Sequence, residues 1–351
     1  MTLLCQEEKI PEKFKSEVKI VPLKGGESKL SRLRLIASIV KILIKERGAV
    51  IIFHDFELLY AILMLRMFNN GNTYIFDMHE DYPSQILLTK KINAYLKPII
   101  YVFLMISEIL MLPMFDWLFT ADDFLKNKYK NLMKNRITTL FNFPNFRQVS
   151  RNSQSSKNLS LAYAGGLYFE RGLKELVSLA SKLRENEMHL FGRTFTKEED
   201  LFLKKALEDN SNIRYHGYTS YSDLLEILPS IDIGLVLMNA NKKFRRNISV
   251  KQFDYMLCGM PVIIKSGLVS FVKDNENGFN VSGADEAAER IINMKRDDLK
   301  RMSLNNMSRI REKYNWNNES LKMIDGIKKA ISLKGASESQ EPHQALQGKL
   351  Q

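Results

Sequence analysis

The sequence is poor in cysteine and in long, uninterrupted apolar runs. Its two cysteines, Cys5 and Cys258, lie far apart and show no metal-ligand spacing. They support neither a disulfide framework nor a zinc site, and they fit a reducing cytoplasm. The start, Met1 to Lys9, lacks the charged region and the apolar run of a secretory signal. We therefore expect a cytoplasmic protein.

One segment, Pro98–Phe115, comes close to the composition of a membrane span. It is apolar except at Ser107, Glu108 and Pro113. A carboxylate in the middle of a bilayer costs about 2.5–3.5 kcal/mol, so we expect a buried or membrane-surface helix rather than a span.

The charge is positive and evenly distributed. The 351 residues are 45% hydrophobic and 26% charged, which is typical of a globular protein and excludes disorder over most of the length. Residues 1–150 and residues 151–351 each carry +6 of the net charge of +12. A nucleic-acid tail would concentrate this charge, so we expect no nucleic acid. The even distribution of positive charge is better explained by phosphate ligands and an anionic membrane surface. A basic surface that is merely solvated is the alternative.

Short apolar runs alternate with segments of helical period, which predicts two parallel sheets built from βαβ units. A Ser- and Asn-rich stretch, RQVSRNSQSSKN, separates the two series. The predicted parts are an N-terminal Rossmann-like domain, a linker, a C-terminal Rossmann-like domain, a final helix and a disordered tail: residues 1–146, 147–158, 159–316, 317–334 and 335–351. A ligand cleft is expected between two such domains, at the carboxyl ends of the strands.

The first candidate motif is LAYAGGLYFERGLKEL, which starts at Leu161. A predicted strand ends at Gly165 and Gly166, and Arg171 and Gly172 open a helix. Paired glycines let a ligand approach the backbone, and an arginine beside a helix start suits a phosphate group. A plain strand, turn and helix is the alternative interpretation.

The second candidate motif is KKFRRNISVKQFDYMLCGMPVI. Arg245, Arg246 and Lys251 precede or enter a predicted helix, which also carries Ser249 and Asp254. Cations at a helix start suit a diphosphate, and a carboxylate one turn further suits ribose hydroxyl groups. An ordinary surface helix is the alternative.

The third candidate motif is TYIFDMHEDYPSQ, in which a strand runs into His79, Glu80 and Asp81. His54 follows the preceding strand in the same way. Polar groups at the carboxyl ends of neighbouring strands lie at one edge of the sheet, where cleft chemistry belongs in this architecture. A structural histidine is the alternative.

These three motifs, in this order and spacing, resemble those of the glycosyltransferase family 4, group 1 transferases of the GT-B fold. The resemblance covers residues 1–330. It implies an α/β protein with two Rossmann-like, doubly wound domains facing each other across a cleft. It also implies transfer of a sugar from a nucleotide diphosphate sugar with retention of anomeric configuration, without a bound metal or other cofactor.

The resemblance also implies roles for individual residues. Arg171 and Lys251 correspond to the pair that neutralises the diphosphate, and His79 to a histidine that contacts the donor sugar. Asp254 stands where the family usually has a glutamate that contacts the ribose. A general-base role for Asp81 or Glu80 is the less favoured alternative to a reaction without a side-chain base.

The chain departs from the family pattern at several positions. Gly166 stands where many members have an arginine, and Arg246 stands where the family has a second glutamate. We expect Arg246 to supply the missing positive charge. The first strand, glycine-rich loop and helix of the family have no counterpart, and MTLLC resembles the second strand. We therefore expect a truncated or misplaced start.

The predicted function is a retaining glycosyltransferase with a glycan or lipid-linked acceptor, in cell-surface polysaccharide or glycoconjugate biosynthesis. The protein is expected in the cytoplasm, either free or as a peripheral protein at the cytoplasmic face of the membrane. Two other functions stay open: a GT-B protein that binds a sugar nucleotide or a partner transferase without turnover, and a sugar-nucleotide epimerase.

Overall fold

The computed structural model describes residues 2–6, 19–23, 29–68, 71–89, 92–149, 151, 158–241 and 244–347. The chain divides into two compact units. Unit 1 comprises Met1–Phe141 and Leu321–Gln351, and unit 2 comprises Asn142–Ser320.

The division lies earlier in the chain than the predicted linker. The ring of Phe143 packs against those of Phe253 and Tyr314, with centroids 4.7 and 5.4 Å apart. Arg147 donates a hydrogen bond of 2.6 Å to the carbonyl of Leu225. These contacts attach the residues after 141 to unit 2, including Arg147 from the polar stretch that predicted a linker. Residues 150 and 152–157 of the predicted linker lie outside the described residues.

Unit 1 contains a four-stranded parallel sheet and a separate parallel pair of strands. The pair is β1 (Thr2–Gln6) and β2 (Lys19–Leu23), and the sheet, in spatial order, is β3 (Val50–Phe53), β4 (Thr73–Met78), β5 (Trp117–Thr120) and β6 (Ile137–Thr139). The expected strand at MTLLC is present as β1. The helices are α1 (Lys29–Leu43), α2 (Ala61–Met67), α3 (Tyr82–Leu88), α4 (Lys97–Met111) and α5 (Asp123–Tyr129).

Unit 2 is built on a six-stranded parallel sheet. Its strands in chain order are β7 (Leu161–Ala164), β8 (Met188–Phe191), β9 (Ile213–Gly217), β10 (Ile233–Val236), β11 (Val262–Lys265) and β12 (Gly278–Val281). The helices are α6 (Leu173–Lys182), α7 (Lys197–Asp209), α8 (Tyr221–Ile227), α9 (Lys251–Leu257), α10 (Ala284–Ile292) and α11 (Arg296–Glu312). The sequence did not predict β12, because glycine and asparagine interrupt its short apolar pattern.

The order of strands in unit 2 is β12, β11, β10, β7, β8, β9. The chain winds outward from β7 in one direction and then returns to add strands on the other side of β7. Helix α6 buries Leu173, Leu176 and Leu179, which recur at three-residue steps, against this sheet. Such a reversal between β7 and β10 opens a crevice at the carboxyl ends of the strands.

The last helix, α12 (Trp316–Gln347), extends beyond the predicted end at residue 334. Its residues after Ser320 belong to unit 1, where Ala330 is fully buried. A β-carbon at Gly326 would lie 2.7 Å from Cε1 of Phe119, so only glycine allows this close packing. The predicted tail lacks apolar periodicity, but alanine, glutamate and glutamine favour helix, which explains why the helix continues.

Candidate functional site

A cavity of about 510 Å³ lies in unit 2, at the carboxyl ends of β7, β8 and β9. Its lining combines glycine backbone, three charged side chains and several aromatic rings. The lining residues include Gly165, Gly166, Tyr168, Arg193, Phe195, Tyr218, Tyr221, Lys251 and Asp254. The cavity therefore brings together four of the predicted site residues from two separate motifs.

Lys251 is held tightly against the end of β7. A β-carbon at Gly165, where φ is +140°, would overlap Cε of Lys251. The Lys251 ammonium lies 5.5 Å from the centre of the Tyr163 ring. Burial, reinforced by the nearby charge of Arg171, lowers the pKa of Lys251 from 10.5 to about 8. The cavity thus contains a desolvated cation, which an anionic ligand would stabilise.

Asp254 lies one turn along α9 from Lys251 and accepts a hydrogen bond of 2.8 Å from the hydroxyl group of Tyr221. Burial raises the pKa of Asp254 to about 6, against the opposing effects of Tyr221 and Lys251. The carboxylate is therefore ionised above this pH and can accept hydrogen bonds from ligand hydroxyl groups.

Tyr168 explains why Gly166 can stand where the resemblance suggests an arginine. A β-carbon at Gly166 would overlap the Tyr168 ring, so the ring occupies the space of a side chain at 166. The guanidinium group of Arg171 lies 5.3 Å from the centre of the same ring. Arg171 does not line the cavity, but it lies close enough to Lys251 to influence the pKa of Lys251 electrostatically.

Glu199 connects two of the loops that surround the cavity. Its carboxylate accepts hydrogen bonds from the backbone amides of Phe169, Phe195 and Thr196, at 3.0, 3.2 and 3.1 Å. Burial opposes ionisation of Glu199, but these bonds outweigh it and lower its pKa. The loop after β7 and the loop after β8 are therefore fixed to one buried carboxylate.

Arg246 and Ser249 are not among the residues that line the cavity. The side chain of Arg246 is exposed, and Ser249 is 8% exposed. The carbonyl of Ser249 accepts a hydrogen bond of 3.0 Å from the side chain of Gln252, which stabilises the start of α9. Their predicted ligand contacts therefore stay predictions.

The predicted residues of unit 1 meet at the carboxyl ends of β3 and β4. One oxygen of Asp77 lies 3.0 Å from Nδ1 of His54 and 3.2 Å from Nε2 of His79. Burial opposes ionisation of Asp77, but the hydrogen bonds and charges of both histidines outweigh it and hold its pKa below the usual range. The hydrogen bond that His79 donates to Asp77 raises the pKa of His79.

Asp81 and Glu80 make local contacts in unit 1. Asp81 accepts hydrogen bonds from the backbone and hydroxyl group of Ser84, at the start of α3, and from Lys128 at 2.7 Å. Burial would raise the pKa of Asp81, but its bonds with Lys128 and Ser84 lower it instead. Glu80 accepts a hydrogen bond from Gln85. The contacts of Asp81 cap a helix, which is a structural role, and they disfavour Asp81 as a general base.

Within the part of the chain that the structure describes, one group of side chains has the composition of a metal site: His54, Asp77 and His79. Their ligand atoms lie within 4.8 Å of one another. Two imidazoles and one carboxylate are a common ligand set for zinc, so these residues could hold such an ion.

Several residues at the cavity were not singled out from the sequence. Arg193 and Phe195 follow β8, while Tyr218 and Tyr221 follow β9. Phe195, Tyr218 and Tyr221 are 78%, 67% and 54% exposed. The sequence offered one signal for these residues, which is that they follow strands. Ligands bind at the carboxyl ends of parallel strands, so residues at that position are candidates for a binding site.

The comparisons with known proteins agree with this architecture. Residues 161–317 match the family described as glucosyltransferase 3-like, C-terminal domain, which is less than half of the chain. No curated protein matches the sequence.

Solved structures are similar over most of the chain. HepE from Anabaena in complex with UDP has a TM-score of 0.63 at 14% identity, covering 89% of this chain and 86% of its own. Sucrose-phosphate synthase from Thermosynechococcus elongatus has a TM-score of 0.69 at 14% identity, and the match covers 90% of this chain and 84% of the synthase. A glycosyltransferase from Rickettsia africae has a TM-score of 0.67 at 13% identity, and the match covers 94% of this chain and 90% of the Rickettsia protein. At these identities the likeness concerns the fold, and it confirms the predicted class: an α/β protein with two parallel sheets and the GT-B fold.

Proposed function

We propose that this protein is a retaining glycosyltransferase, which transfers a sugar from a nucleotide diphosphate sugar to a glycan or lipid-linked acceptor. The observation that carries the proposal is the cavity of unit 2, where Lys251 and Asp254 lie together beside Gly165. Family 4 membership, suggested by the sequence motifs, is part of this proposal. So is a role in cell-surface polysaccharide or glycoconjugate biosynthesis.

The chemistry of the cavity suits the nucleotide part of such a donor. Lys251 supplies a cation for the diphosphate, and its burial strengthens that attraction because little water competes. Asp254 suits the ribose hydroxyl groups. The exposed rings of Phe195 and Tyr218 offer apolar surfaces on which a base can stack. HepE, a similar structure, has been solved with UDP-glucose, which supports this class of donor.

The proposed reaction needs no nucleophilic side chain. The bond between the anomeric carbon and the diphosphate oxygen breaks, and Lys251 stabilises the negative charge that develops on that oxygen. Arg171, which does not line the cavity, would add to this stabilisation through its charge near Lys251. The acceptor hydroxyl group attacks the same face of the sugar, and its proton passes to the departing diphosphate. We propose that His79 contacts the donor sugar and that transfer requires no metal ion.

Product release tests the proposal. The purified protein is incubated with UDP-, GDP- and ADP-sugars, with and without candidate acceptors, and free nucleoside diphosphate is measured. Release only with acceptor supports a transferase, and Lys251→Met should abolish it. Calorimetric binding of a nucleotide sugar without release under any condition would contradict the proposal and favour the non-catalytic alternative.

A further inference from the structure

Helix α4 of unit 1 presents an apolar face to solvent. In α4 the outward positions recur at three- and four-residue steps, and each side chain is 49–67% exposed: Ile99, Val102, Phe103, Ile106, Ile109 and Leu110. We call these six residues the apolar face of α4. An exposed apolar surface of this kind marks an interaction site.

Helix α2 extends this surface. The ring of Tyr60 stacks on that of Phe103, with centroids 6.4 Å apart, and its hydroxyl group donates to Ser107 at 3.1 Å. Tyr60 lies directly before α2, whose Met64 and Met67 are 52% and 82% exposed. Tyr60 therefore contacts the apolar face of α4 and leads directly into α2, which carries these exposed methionines.

The inward side of α4 excludes a membrane span in this fold. By length and composition the window Lys97–Met114 is a candidate span, with a mean hydropathy of 1.6, and 22% of it is buried. Glu108 and Met111 are buried, and Glu108 accepts a hydrogen bond from the hydroxyl group of Tyr129. Burial raises the pKa of Glu108 to about 7. Crossing a bilayer would break these contacts and expose Glu108 to lipid.

The charges around the apolar face are complementary to an anionic surface. Between Tyr82 and Phe115 the one acidic residue is Glu108, which is 1% exposed. The guanidinium group of Arg136 donates to the carbonyl of Pro113, just after α4, at 3.2 Å. Arg136 also lines a surface cavity of about 570 Å³ together with Lys134, Lys328 and Lys329. A basic region therefore adjoins the end of α4.

We propose that the apolar face of α4 and the exposed side of α2 dock on the surface of an anionic lipid bilayer, with the helices lying in the interface. Apolar side chains would enter the boundary of the acyl chains, while the basic region would contact headgroup phosphates. A second copy of the chain fits less well, because a symmetric contact would bring two sets of like charges together. The inference extends the proposed function, since a lipid-linked acceptor would then lie in the surface that unit 1 contacts.

Co-sedimentation of the full chain with vesicles tests the inference. The vesicles contain phosphatidylcholine with or without phosphatidylglycerol. Ile99→Glu places a charge in the apolar face, and Ile292→Glu is the matched control, since the two isoleucines are 67% and 69% exposed. We expect Ile99→Glu to reduce binding to anionic vesicles about tenfold. We expect Ile292→Glu to leave it unchanged, and the double variant Lys134→Gln, Lys328→Gln to weaken the preference for phosphatidylglycerol.

Three results would overturn the inference. One is that the wild-type protein does not bind anionic vesicles, and another is that both glutamate variants lose binding equally. The third is a wild-type dimer, detected by light scattering, that Ile99→Glu dissociates without affecting vesicle binding. The assay contains no nucleotide, so its failure would leave the proposed transferase activity standing. Failure to release nucleoside diphosphate would not affect the vesicle result.

Discussion

Binding of a nucleoside diphosphate should take up protons, because it should restore the charge of Lys251. In the free protein the pKa of Lys251 is about 8. A diphosphate beside the ammonium should return the pKa to its usual range near 10.4 or higher. The expected uptake is then about 0.1 proton at pH 7, about 0.5 at pH 8 and about 0.75 at pH 8.5. The dissociation constant should rise about fourfold between pH 7 and pH 8.5.

Isothermal titration calorimetry with UDP and with GDP measures this uptake directly. Each titration is repeated in two buffers of different ionisation enthalpy, and the difference in apparent enthalpy gives the number of protons bound. Asp254, with a pKa of about 6, stays ionised above pH 7 and contributes little. The Lys251→Met variant should bind more weakly and take up no proton. The reasoning is refuted if the wild-type protein binds a nucleotide at pH 8.5 without proton uptake, or if the variant shows the same uptake.

Three further predictions concern the same structural features. Gly165→Ala should weaken nucleotide binding at least about tenfold, because the added β-carbon would displace Lys251. Gly217→Ala is the control, since Gly217 also has a positive φ but has open space around the position of the β-carbon. This control should lose only about 1–2 kcal/mol of unfolding free energy, through backbone strain. Lys251→Met should raise the unfolding free energy at pH 7 by up to about 3 kcal/mol, measured by urea denaturation. This gain should shrink as the pH rises from 8 toward 10.5, where the unfolded chain loses its extra proton. Asp77→Asn should lower the pKa of His79, followed by NMR titration, and an unchanged value would show that Asp77 does not hold this imidazole.

The sequence was sufficient to predict the strands that carry the candidate site. Strand β8 (Met188–Phe191), at whose carboxyl end the cavity lies, is one of the short apolar runs in the sequence, because buried parallel strands are short, nearly continuous apolar runs between polar segments. The prediction also placed Lys251 and Asp254 on one helix, and the structure adds Gly165 beside them.

The contacts between distant segments could not be predicted in this way. The pairing of Tyr221 with Asp254 joins positions 33 residues apart, and spacing along the chain carries no information about it. The attachment of Phe143 to unit 2 depends on three aromatic partners from separate elements. The apolar composition of α4 was visible, but which side of the helix faces the core became clear only from the contacts of Glu108.

The filling of space by Tyr168 has a consequence for how this site can change by mutation. A side chain at position 166 would require the tyrosine ring to move out of that volume. Replacing Gly166 with arginine should therefore be harmful in the present background and tolerated once position 168 holds a small residue. The effects of substitutions at positions 166 and 168 should therefore depend strongly on each other. A lineage could change from glycine at 166 with tyrosine at 168 to arginine at 166 with a small residue at 168 only if position 168 changed first.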